Sequence, residues 1–280
     1  MKTVAIQGIK GAYHEIAARK YFEENYKEEV EILPCKQFKD VIAAVKRDPN
    51  LIGVMAIENT IAGSLLQNYE LIRESDLVVI GEQKLHISHC LSVLPEDTIE
   101  TVTEVNSHPI ALMQCFDFLN ALPRIKIVER EDTALSAKEI GEKKLQGHAA
   151  ICSRYAAELY GLNVLEESIE TNTRNFTRFL LLANRWLAEE LVKESEADKT
   201  SIVFTLPHTE GSLSKILTIL SFYDINLTKI QSLPILGREW EYLFYVDLTF
   251  KSLLKYKQGL DAIRPLTMEF RILGEYKEKN

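Results

Sequence analysis

Residues 3–24, TVAIQGIKGAYHEIAARKYFEE, decide the fold class of this 280-residue chain. Thr3–Gln7 is a short apolar run typical of a strand, and Gly8–Gly11 is the turn that ends it. Tyr13–Glu24 then has helical periodicity, with side chains spaced for one face of a helix and its flank. The stretch therefore predicts a strand that runs through a glycine turn into a helix.

The same order of elements continues along the chain. Glu31–Cys35 and Leu51–Glu58 are predicted strands, and Phe38–Lys46 between them is a predicted helix. Helices and strands keep alternating as far as Leu182. Because that alternation is typical of strands joined by helical crossovers, it predicts an α/β architecture with largely parallel sheets.

A charged segment marks a change of architecture. Residues 185–199 carry eight charged side chains in fifteen, which indicates a solvated helix face and a natural boundary between domains. The elements predicted beyond it are Ser201–Leu206, Gly211–Tyr223, Asn226–Leu236, Trp240–Phe250, Ser252–Ile263 and Thr267–Leu273, with a turn at Gly237-Arg238. Their order is βαββαβ, a ferredoxin-like plan that is more often a regulatory or interaction module than a catalytic one.

Composition and charge exclude several classes of protein. Apolar residues make up 46% and charged residues 26% of the chain, which is ordinary for a globular protein. The net charge of −8 at pH 7 argues against a nucleic-acid binder, whose surface would be basic. No apolar stretch is long enough to span a bilayer, and the first residues do not form a signal peptide. We therefore expect a cytoplasmic protein without a membrane or nucleic-acid partner.

Cysteine and histidine spacing gives no sign of a metal site. The cysteines are Cys35, Cys90, Cys115 and Cys152. They form neither a C-x-x-C pair nor a cluster with zinc spacing, and reduced, buried thiols fit a cytosolic protein. His86 and His89 lie three residues apart, but no further ligands follow at usable spacing. We expect neither a metal nor a cofactor.

Four motifs place small polar residues where a predicted strand meets a helix. Gly8–Gly11 is either a tight turn or a backbone that approaches an anion at a helix start, and it lacks the third glycine of a dinucleotide fingerprint. Asn59 and Thr60 either cap a helix or contact a ligand at the carboxyl end of a buried strand.

The other two junctions also allow two interpretations when only their residues are considered. Ser107 and His108 precede Pro109, so they either start a helix or provide a proton donor near neutral pH. Thr133 either caps the next helix or binds a carboxylate with the first-turn N–H groups. Several such junctions that meet at one cleft would form an anion pocket.

Two Thr-Arg pairs precede the last apolar run of the α/β region. Thr173-Arg174 and Thr177-Arg178 lie four residues apart, and Phe179–Leu182 follows them. One interpretation is a polar loop that leads into a core strand. The other is a site where a threonine donates a hydrogen bond and an arginine binds a carboxylate through two parallel hydrogen bonds.

Taken in order, these motifs resemble the prephenate dehydratase family. They read GIKGAY, IENTIAGS, SHPIALMQC, DTALSA and NFTRF, and the match runs from about Thr3 to Leu182. Residues 200–274 resemble the ACT regulatory domain that follows in this family. The resemblance implies a catalytic domain at 1–184 with two α/β lobes around a cleft, like a periplasmic binding protein, and an ACT domain at 200–275. We expect residues 1–78 and 165–182 in one lobe and 79–164 in the other.

The resemblance also implies a reaction and the residues that carry it. Prephenate would lose carbon dioxide and water to give phenylpyruvate, on the route to L-phenylalanine, without a cofactor. Thr177 would donate to the leaving hydroxyl and Arg178 would clamp a carboxylate, with His108 as the rival proton donor. The substrate-binding residues implied are Gly11, Asn59, Thr60, Ser107, His108, Thr133, Asn175 and Phe179.

The ACT resemblance implies regulation by L-phenylalanine. The implied effector site comprises Gly211, Ser212, Leu213, Gln231 and Ser232. The family usually has Glu-Ser-Arg-Pro where this chain has Gln231-Ser232-Leu233-Pro234. One charge of each sign is therefore missing, which puts feedback inhibition by L-phenylalanine, or its ligand specificity, in question. ACT units commonly pair, which implies a homodimer or a homotetramer. An arogenate dehydratase and a non-catalytic small-molecule sensor remain as alternative functions.

Overall fold

A computed structural model describes residues 1–122, 124–235, 237–238 and 241–279. The chain forms two compact units. One comprises Met1–Val41, Val54–Leu65 and Gln83–Phe179, and the other Ile42–Gly53, Leu66–Glu82 and Leu180–Asn280.

The strands and helices follow one another in the predicted α/β order and then in the βαββαβ order. The strands are β1 (Lys2–Gln7), β2 (Val30–Cys35), β3 (Ile52–Asn59), β4 (Gly63–Ser64), β5 (Val78–His86), β6 (Cys90–Val93), β7 (Glu104–Ser107), β8 (Lys126–Glu129), β9 (His148–Cys152), β10 (Asn163–Glu167), β11 (Phe176–Ala183), β12 (Lys199–Thr205), β13 (Asn226–Pro234), β14 (Tyr242–Thr249) and β15 (Phe270–Tyr276). The helices are α1 (Tyr13–Tyr26), α2 (Phe38–Arg47), α3 (Leu66–Ser75), α4 (Pro109–Gln114), α5 (Phe116–Asn120), α6 (Thr133–Lys143), α7 (Arg154–Leu159), α8 (Arg185–Leu191), α9 (Ser212–Phe222) and α10 (Leu253–Ile263).

The first sheet has the strand order β2-β1-β3-β11-β5, and β4 pairs with β3. β1 and β2 are parallel and joined by α1, as the opening stretch predicts. β3 lies at the centre, and its residues Ile52–Ile57 are all buried, which is typical of a strand covered on both faces. The last residues of β1 and β3, Gln7 and Asn59, both line one cavity.

The second sheet has the strand order β10-β6-β9-β7-β8. β7 is parallel to β8 and β9, whereas β6 is antiparallel to β9 and β10. The sheet is therefore mixed rather than largely parallel. Its core contains Leu91, Val93, Val105, Ala149 and Ile151, all buried.

The two sheets correct the predicted lobe boundaries. We expected the first lobe to end at 78 and to resume at 165, but β5 continues through His86 in the first sheet and β10 lies in the second. Which sheet a strand joins depends on pairing with residues far away in sequence. β5 pairs beside β11 and β10 pairs with β6, neither of which local periodicity can reveal.

The third sheet has the order β13-β14-β12-β15 and is antiparallel throughout its pairs. This is the ferredoxin-like arrangement, so the fold prediction for the C-terminal domain is confirmed. Its core contains Phe204, Ile216, Leu248 and Tyr256, which are buried between the sheet and helices α9 and α10. The predicted strand ends Leu236 and Trp240 lie outside the described residues.

The final strand begins later than predicted. We expected it at Thr267, but it starts at Phe270, because a 3-10 turn at Arg264–Leu266 occupies the preceding residues. Pro265 in this turn lacks the N–H that a regular element would use.

The second unit contains a tight contact between the ferredoxin-like sheet and the residues of α3 and β5. Lys199 Nζ lies 2.8 Å from Glu82 Oε1, and the two side chains are 4% and 0% exposed. Gly274 packs directly on Val79, since a Cβ at Gly274 would lie 2.0 Å from the Val79 carbonyl oxygen. A glycine is therefore required in β15 at this contact.

No helix among the described residues is both long and apolar enough to cross a bilayer. Within the same residues, no group of three or more His, Cys, Asp or Glu side chains is arranged to hold a metal ion.

Candidate active site

A cavity of about 450 Å³ opens in the first unit where strand ends and helix starts meet. The end of β3 contributes Asn59 and the beginning of β11 contributes Thr177. The starts of α1, α4 and α6 contribute Tyr13, His108 and Thr133. This is the arrangement in which open α/β sheets bind ligands.

The Thr177 hydroxyl is oriented by an amide. Asn59 Nδ2 donates to Thr177 Oγ1 at 2.9 Å and to Asn175 Oδ1 at 2.7 Å. Asn59 Oδ1 accepts the backbone N–H groups of Ile61 and Ala62 at 2.9 and 2.8 Å, which fixes the amide. Because Thr177 Oγ1 accepts from Asn59, its own proton is directed to another acceptor. Thr177 lines the cavity, so a group bound there could accept this proton.

Buried hydrogen bonds extend this network beneath the cavity. Asn175 Nδ2 and His89 Nε2 both donate to Gln114 Oε1, at 3.0 and 2.9 Å. The tautomer of His89 follows from the acceptor role of Gln114. Tyr13 OH donates to the Ser88 carbonyl at 2.7 Å and lies 3.0 Å from His89 Nδ1. A buried network with satisfied partners is rigid, so it holds Asn59 and Thr177 in place.

Burial disfavours the charged form of the three cavity histidines. Burial lowers the pKa of His14 to about 4 and lowers the pKa of His89 and of His108 below the ordinary value. The Ala56 N–H donates to His14 Nε2 at 3.3 Å, and the Ile110 N–H donates to His108 Nδ1 at 3.2 Å. A neutral imidazole is a weak acid, so this environment does not favour His108 as the proton donor.

The cavity also contains a carboxylate and two helix starts. Asp132 is the N-cap of α6, and its Oδ1 accepts from the Leu135 N–H at 2.9 Å. Burial raises the pKa of Asp132 above its ordinary value, against the backbone hydrogen bonds that lower it. In α6 the N–H groups of Ala134 and Leu135 are bonded to Asp132, whereas α1 has no side-chain cap, so the first N–H groups of α1 carry the positive end of the helix dipole without such a partner. They are suited to bind a carboxylate.

The chain can now be compared with known proteins. A family model described as prephenate dehydratase matches residues 4–186. The chain belongs to the prephenate dehydratase family.

Individual proteins similar to this prephenate dehydratase family member match nearly the whole chain. It is 37% identical over 286 residues to arogenate dehydratase/prephenate dehydratase 2, chloroplastic, of Arabidopsis thaliana, across 98% of this chain and 72% of that protein. A solved structure described as GqqA, a novel type of quorum quenching acylase, is 28% identical with a TM-score of 0.86 and covers 99% of this chain and 98% of its own. A prephenate dehydratase from Arthrobacter aurescens in complex with L-Phe is 26% identical with a TM-score of 0.85, covering 99% and 90%.

The structure brings five of the expected prephenate dehydratase site residues to the cavity. They are Asn59, His108, Thr133, Thr177 and Phe179. Thr133 is the first residue of its helix and not the cap, since Asp132 takes that position. Phe179 packs edge-on against His14, with ring centroids 5.0 Å apart, and forms part of the apolar wall.

Two other expected residues have structural roles. Thr60 Oγ1 donates to the Arg174 carbonyl at 3.0 Å and accepts from the Phe176 N–H at 2.9 Å, so it fastens the loop before β11. Ser107 is fully buried, and its hydroxyl donates to the Ile151 carbonyl at 2.6 Å. Neither is among the described residues of the cavity wall, and both hydroxyls are used in backbone contacts, so their binding of substrate stays a prediction.

Gly11 and Asn175 also lie outside the described cavity wall. Gly11 has a φ of 95°, and a Cβ there would lie 3.3 Å from the side chains of Ala134 and Ala156. The glycine therefore permits close packing rather than the approach of a ligand. Asn175 is fully buried and acts on the site through its bond to Asn59.

Arg178 is a buried residue of β11 that lies between two residues of the cavity wall. Thr177 and Phe179 contribute to the wall, whereas Arg178 between them is absent from the described wall residues. Successive side chains of a strand point to opposite faces, so adjacency in sequence separates the hydroxyl and the guanidinium in space. The expectation that Arg178 clamps a substrate carboxylate therefore stays a prediction.

Fifteen of the twenty described cavity residues were not among the predicted site residues, and Tyr13, His14, Gln114 and Asp132 are four of them. Tyr13, Gln114 and Asp132 each belong to a quoted motif, but their positions gave no reason to prefer them over their neighbours. His14 belongs to the cavity wall because α1 packs against β3, which the sequence does not reveal. The alternation of β11 was the one signal that would have separated Thr177 from Arg178.

The expected effector residues lie at the start of α9 and on the edge strand β13. Gly211 is the N-cap of α9 with a φ of 75°, followed by Ser212 and Leu213. Gln231 is half-buried and its Nε2 donates to the Ser232 carbonyl at 3.1 Å, while Ser232 is exposed. A ligand at this position would therefore meet an open strand edge and a helix start.

Proposed function

We propose that this protein converts prephenate to phenylpyruvate, with loss of carbon dioxide and water. The bond to the departing carboxylate breaks, its electron pair aromatises the ring, and the ring hydroxyl leaves with a proton as water. No redox step is involved. The observation that carries the proposal is the Asn59–Thr177 bond, which leaves the Thr177 proton for a group in the cavity.

Thr177 acts on the leaving hydroxyl. A free threonine is a feeble acid, so its contribution is a positioned hydrogen bond that strengthens as charge develops on the departing oxygen. The buried network through Asn59, Asn175 and Gln114 holds this donor without reorganisation during the reaction. Solvent then replaces any proton that Thr177 delivers.

The retained oxoacid side chain binds to the start of α1, and the clamp by Arg178 stays a prediction. The N-terminal N–H groups of α1 supply donors and positive potential for a carboxylate. The ring lies against apolar wall residues, among them Ala56, Ile87 and Phe179. This division places the charged end and the ring of the substrate on different parts of the cavity.

The proposal is tested with purified protein and prephenate. Phenylpyruvate is measured by its ultraviolet absorbance in base, against protein that carries Thr177→Ala. Enzymatic turnover that depends on Thr177 supports the function. Binding of prephenate without turnover would favour a non-catalytic sensor, and the absence of both would refute the proposal.

We further propose that L-phenylalanine regulates the enzyme through its C-terminal domain, which is an ACT domain on the resemblance given above. The similar enzyme from Arthrobacter aurescens was solved in complex with L-Phe. The site proposed here is Gly211, Ser212, Leu213, Gln231 and Ser232, and it acts in a homodimer or homotetramer in the cytoplasm. Calorimetry with L-phenylalanine, rates in its presence and light scattering test this. No heat, unchanged rates or a monomer would contradict it.

A further inference from the structure

The side chain of His14 has one ring nitrogen bound to the protein. His14 lies in the first turn of α1 and lines the cavity. The Ala56 N–H donates to His14 Nε2 at 3.3 Å, so this nitrogen is an acceptor and carries no proton. Burial lowers the pKa of His14 to about 4, so the ring is neutral near pH 7 and its proton is on Nδ1. The bond from β3 therefore fixes the tautomer.

The Nδ1–H of His14 has no acceptor in the part of the chain that the structure describes. Phe38 and Phe179 flank the imidazole, with ring centroids 5.5 and 5.0 Å away, and neither side chain offers an acceptor. Nδ1 is not among the described buried polar atoms that lack a partner, so it is open to the cavity that the ring lines. A bound ligand can accept this hydrogen.

Backbone donors lie at the same end of α1. Ala12 is the N-cap and makes no side-chain capping bond, and the N–H groups of Tyr13 and His14 have no acceptor among the described residues. Because helix side chains lean towards the N-terminus, the His14 ring lies at the end where these N–H groups are free. The start of α1 thus offers backbone and side-chain donors together.

These donors matter because the cavity has few cationic alternatives. Glu131 and Asp132 line it, whereas no lysine or arginine does among the described wall residues. A hydrogen bond from a neutral N–H to a carboxylate is strengthened by the charge of the acceptor. Neutral donors can therefore hold an anion here.

We propose that the His14 Nδ1–H donates a hydrogen bond to the carboxylate of the substrate's oxoacid side chain, the group that remains in the product. The inference rests on the proposed function, which places this carboxylate at the start of α1. The carboxylate takes no part in the bonds that break, so His14 binds the ground state and the transition state alike. Its loss raises KM and leaves kcat unchanged.

Two variants each keep one half of the imidazole. His14→Gln places its amide near the position of Nε2, so it keeps an acceptor for the Ala56 N–H and loses the donor to the ligand. His14→Asn places its amide near Nδ1, so it keeps the donor and loses the acceptor. Exposed His208→Gln is the matched control.

The test measures kcat and KM for prephenate and the inhibition constant of phenylpyruvate in the full chain. Phenylpyruvate carries the retained carboxylate but neither the departing carboxylate nor the ring hydroxyl. Urea unfolding of each variant measures the structural role of the Ala56 bond separately.

We expect His14→Gln to raise KM for prephenate and the inhibition constant of phenylpyruvate by a similar factor, at least about tenfold, with kcat unchanged. His14→Asn unfolds at lower urea than His14→Gln but keeps both constants closer to those of the wild type. A merely structural role would give the opposite order. His208→Gln behaves as the wild type does.

Four results would overturn the inference. An unchanged KM in His14→Gln, or an equal rise in His14→Asn, removes the role of the Nδ1 donor. A rise for prephenate without a rise for phenylpyruvate removes the assignment to the retained carboxylate. In these three cases turnover by the wild type leaves the proposed function intact. A wild type that neither binds nor converts prephenate removes both.

Discussion

Asn59 Nδ2 donates a hydrogen bond to Thr177 Oγ1 over 2.9 Å, and this bond sets the direction of the threonine proton. The donor comes from the end of β3 and the acceptor from the beginning of β11. Asn59 in turn is held by the N–H groups of Ile61 and Ala62. The candidate catalytic hydroxyl is thus positioned by the sheet itself.

The first prediction concerns the hydroxyl of Thr177. Thr177→Ala removes the donor to the leaving group and should lower kcat on prephenate by more than about 100-fold, while Thr177→Ser retains much of the activity. Thr173→Ala is the control, since Thr173 lies exposed on the preceding loop. Steady-state kinetics measure the effect, and a near-normal kcat for Thr177→Ala would exclude this assignment.

The second prediction reverses the hydrogen bond that orients Thr177. Asn59→Asp replaces the Nδ2 donor by an oxygen, so Thr177 would donate its proton to residue 59 rather than to substrate. We expect kcat to fall roughly 10- to 100-fold with a smaller change in KM, because the donor acts in the transition state. Thr60→Ser nearby preserves its hydroxyl and serves as the control. A loss confined to KM would show that Asn59 acts on binding alone.

The third prediction concerns pH and His14. Burial holds the pKa of folded His14 at about 4, whereas the unfolded chain has the ordinary value of about 6.5. Between these values the unfolded state binds a proton that the folded state does not. The free energy of unfolding therefore falls as pH drops from 6.5 towards 4, by roughly 2 kcal/mol from this group.

Urea titrations at several pH values measure this dependence. His14→Gln should flatten the fall between pH 6.5 and 4, although it loses some stability at pH 7. Exposed His208→Gln should leave the dependence as it is in the wild type. If the two variants behave alike, His14 is not the source of the acid sensitivity.

The order of strands and helices could be predicted because the spacing of apolar residues along the chain differs between the two. The glycine turn at 8–11 separates β1 from α1, and the charged segment before Lys199 separates the two architectures. The lobe boundaries could not be predicted, because β5 and β10 are assigned to sheets by partners distant in sequence. Periodicity identifies a strand but not its neighbour.

In the candidate site, too, some residues could be predicted from the sequence and others could not. Asn59 and Thr177 stand out in motifs at strand ends, and both line the cavity. Ser107 has the same motif signal, but its buried hydroxyl is used by the Ile151 carbonyl. Sequence cannot tell whether a small polar residue faces a ligand or the backbone behind it. Only the orientation of the strand decides this, as it does for Arg178.

The last prediction concerns the buried ion pair of Lys199 and Glu82. Lys199 Nζ contacts both Glu82 oxygens, at 2.8 and 3.1 Å, and the Lys279 N–H donates to Oε1 at 3.2 Å. Removing one partner leaves an uncompensated buried charge, so Lys199→Met should lower the free energy of unfolding by about 3–5 kcal/mol. The double variant Glu82→Gln/Lys199→Met should recover most of that loss.

A surface pair is the matched control for this measurement. Arg185 and Glu189 have side chains that are 79% and 60% exposed, so Arg185→Met should cost less than about 1 kcal/mol. Denaturant unfolding compares the three variants with the wild type. A loss below 1 kcal/mol for Lys199→Met, or a double variant as unstable as the sum of the singles, would contradict the interpretation. The contact between the third sheet and β5, within the second unit, would then depend on packing such as that of Gly274 on Val79.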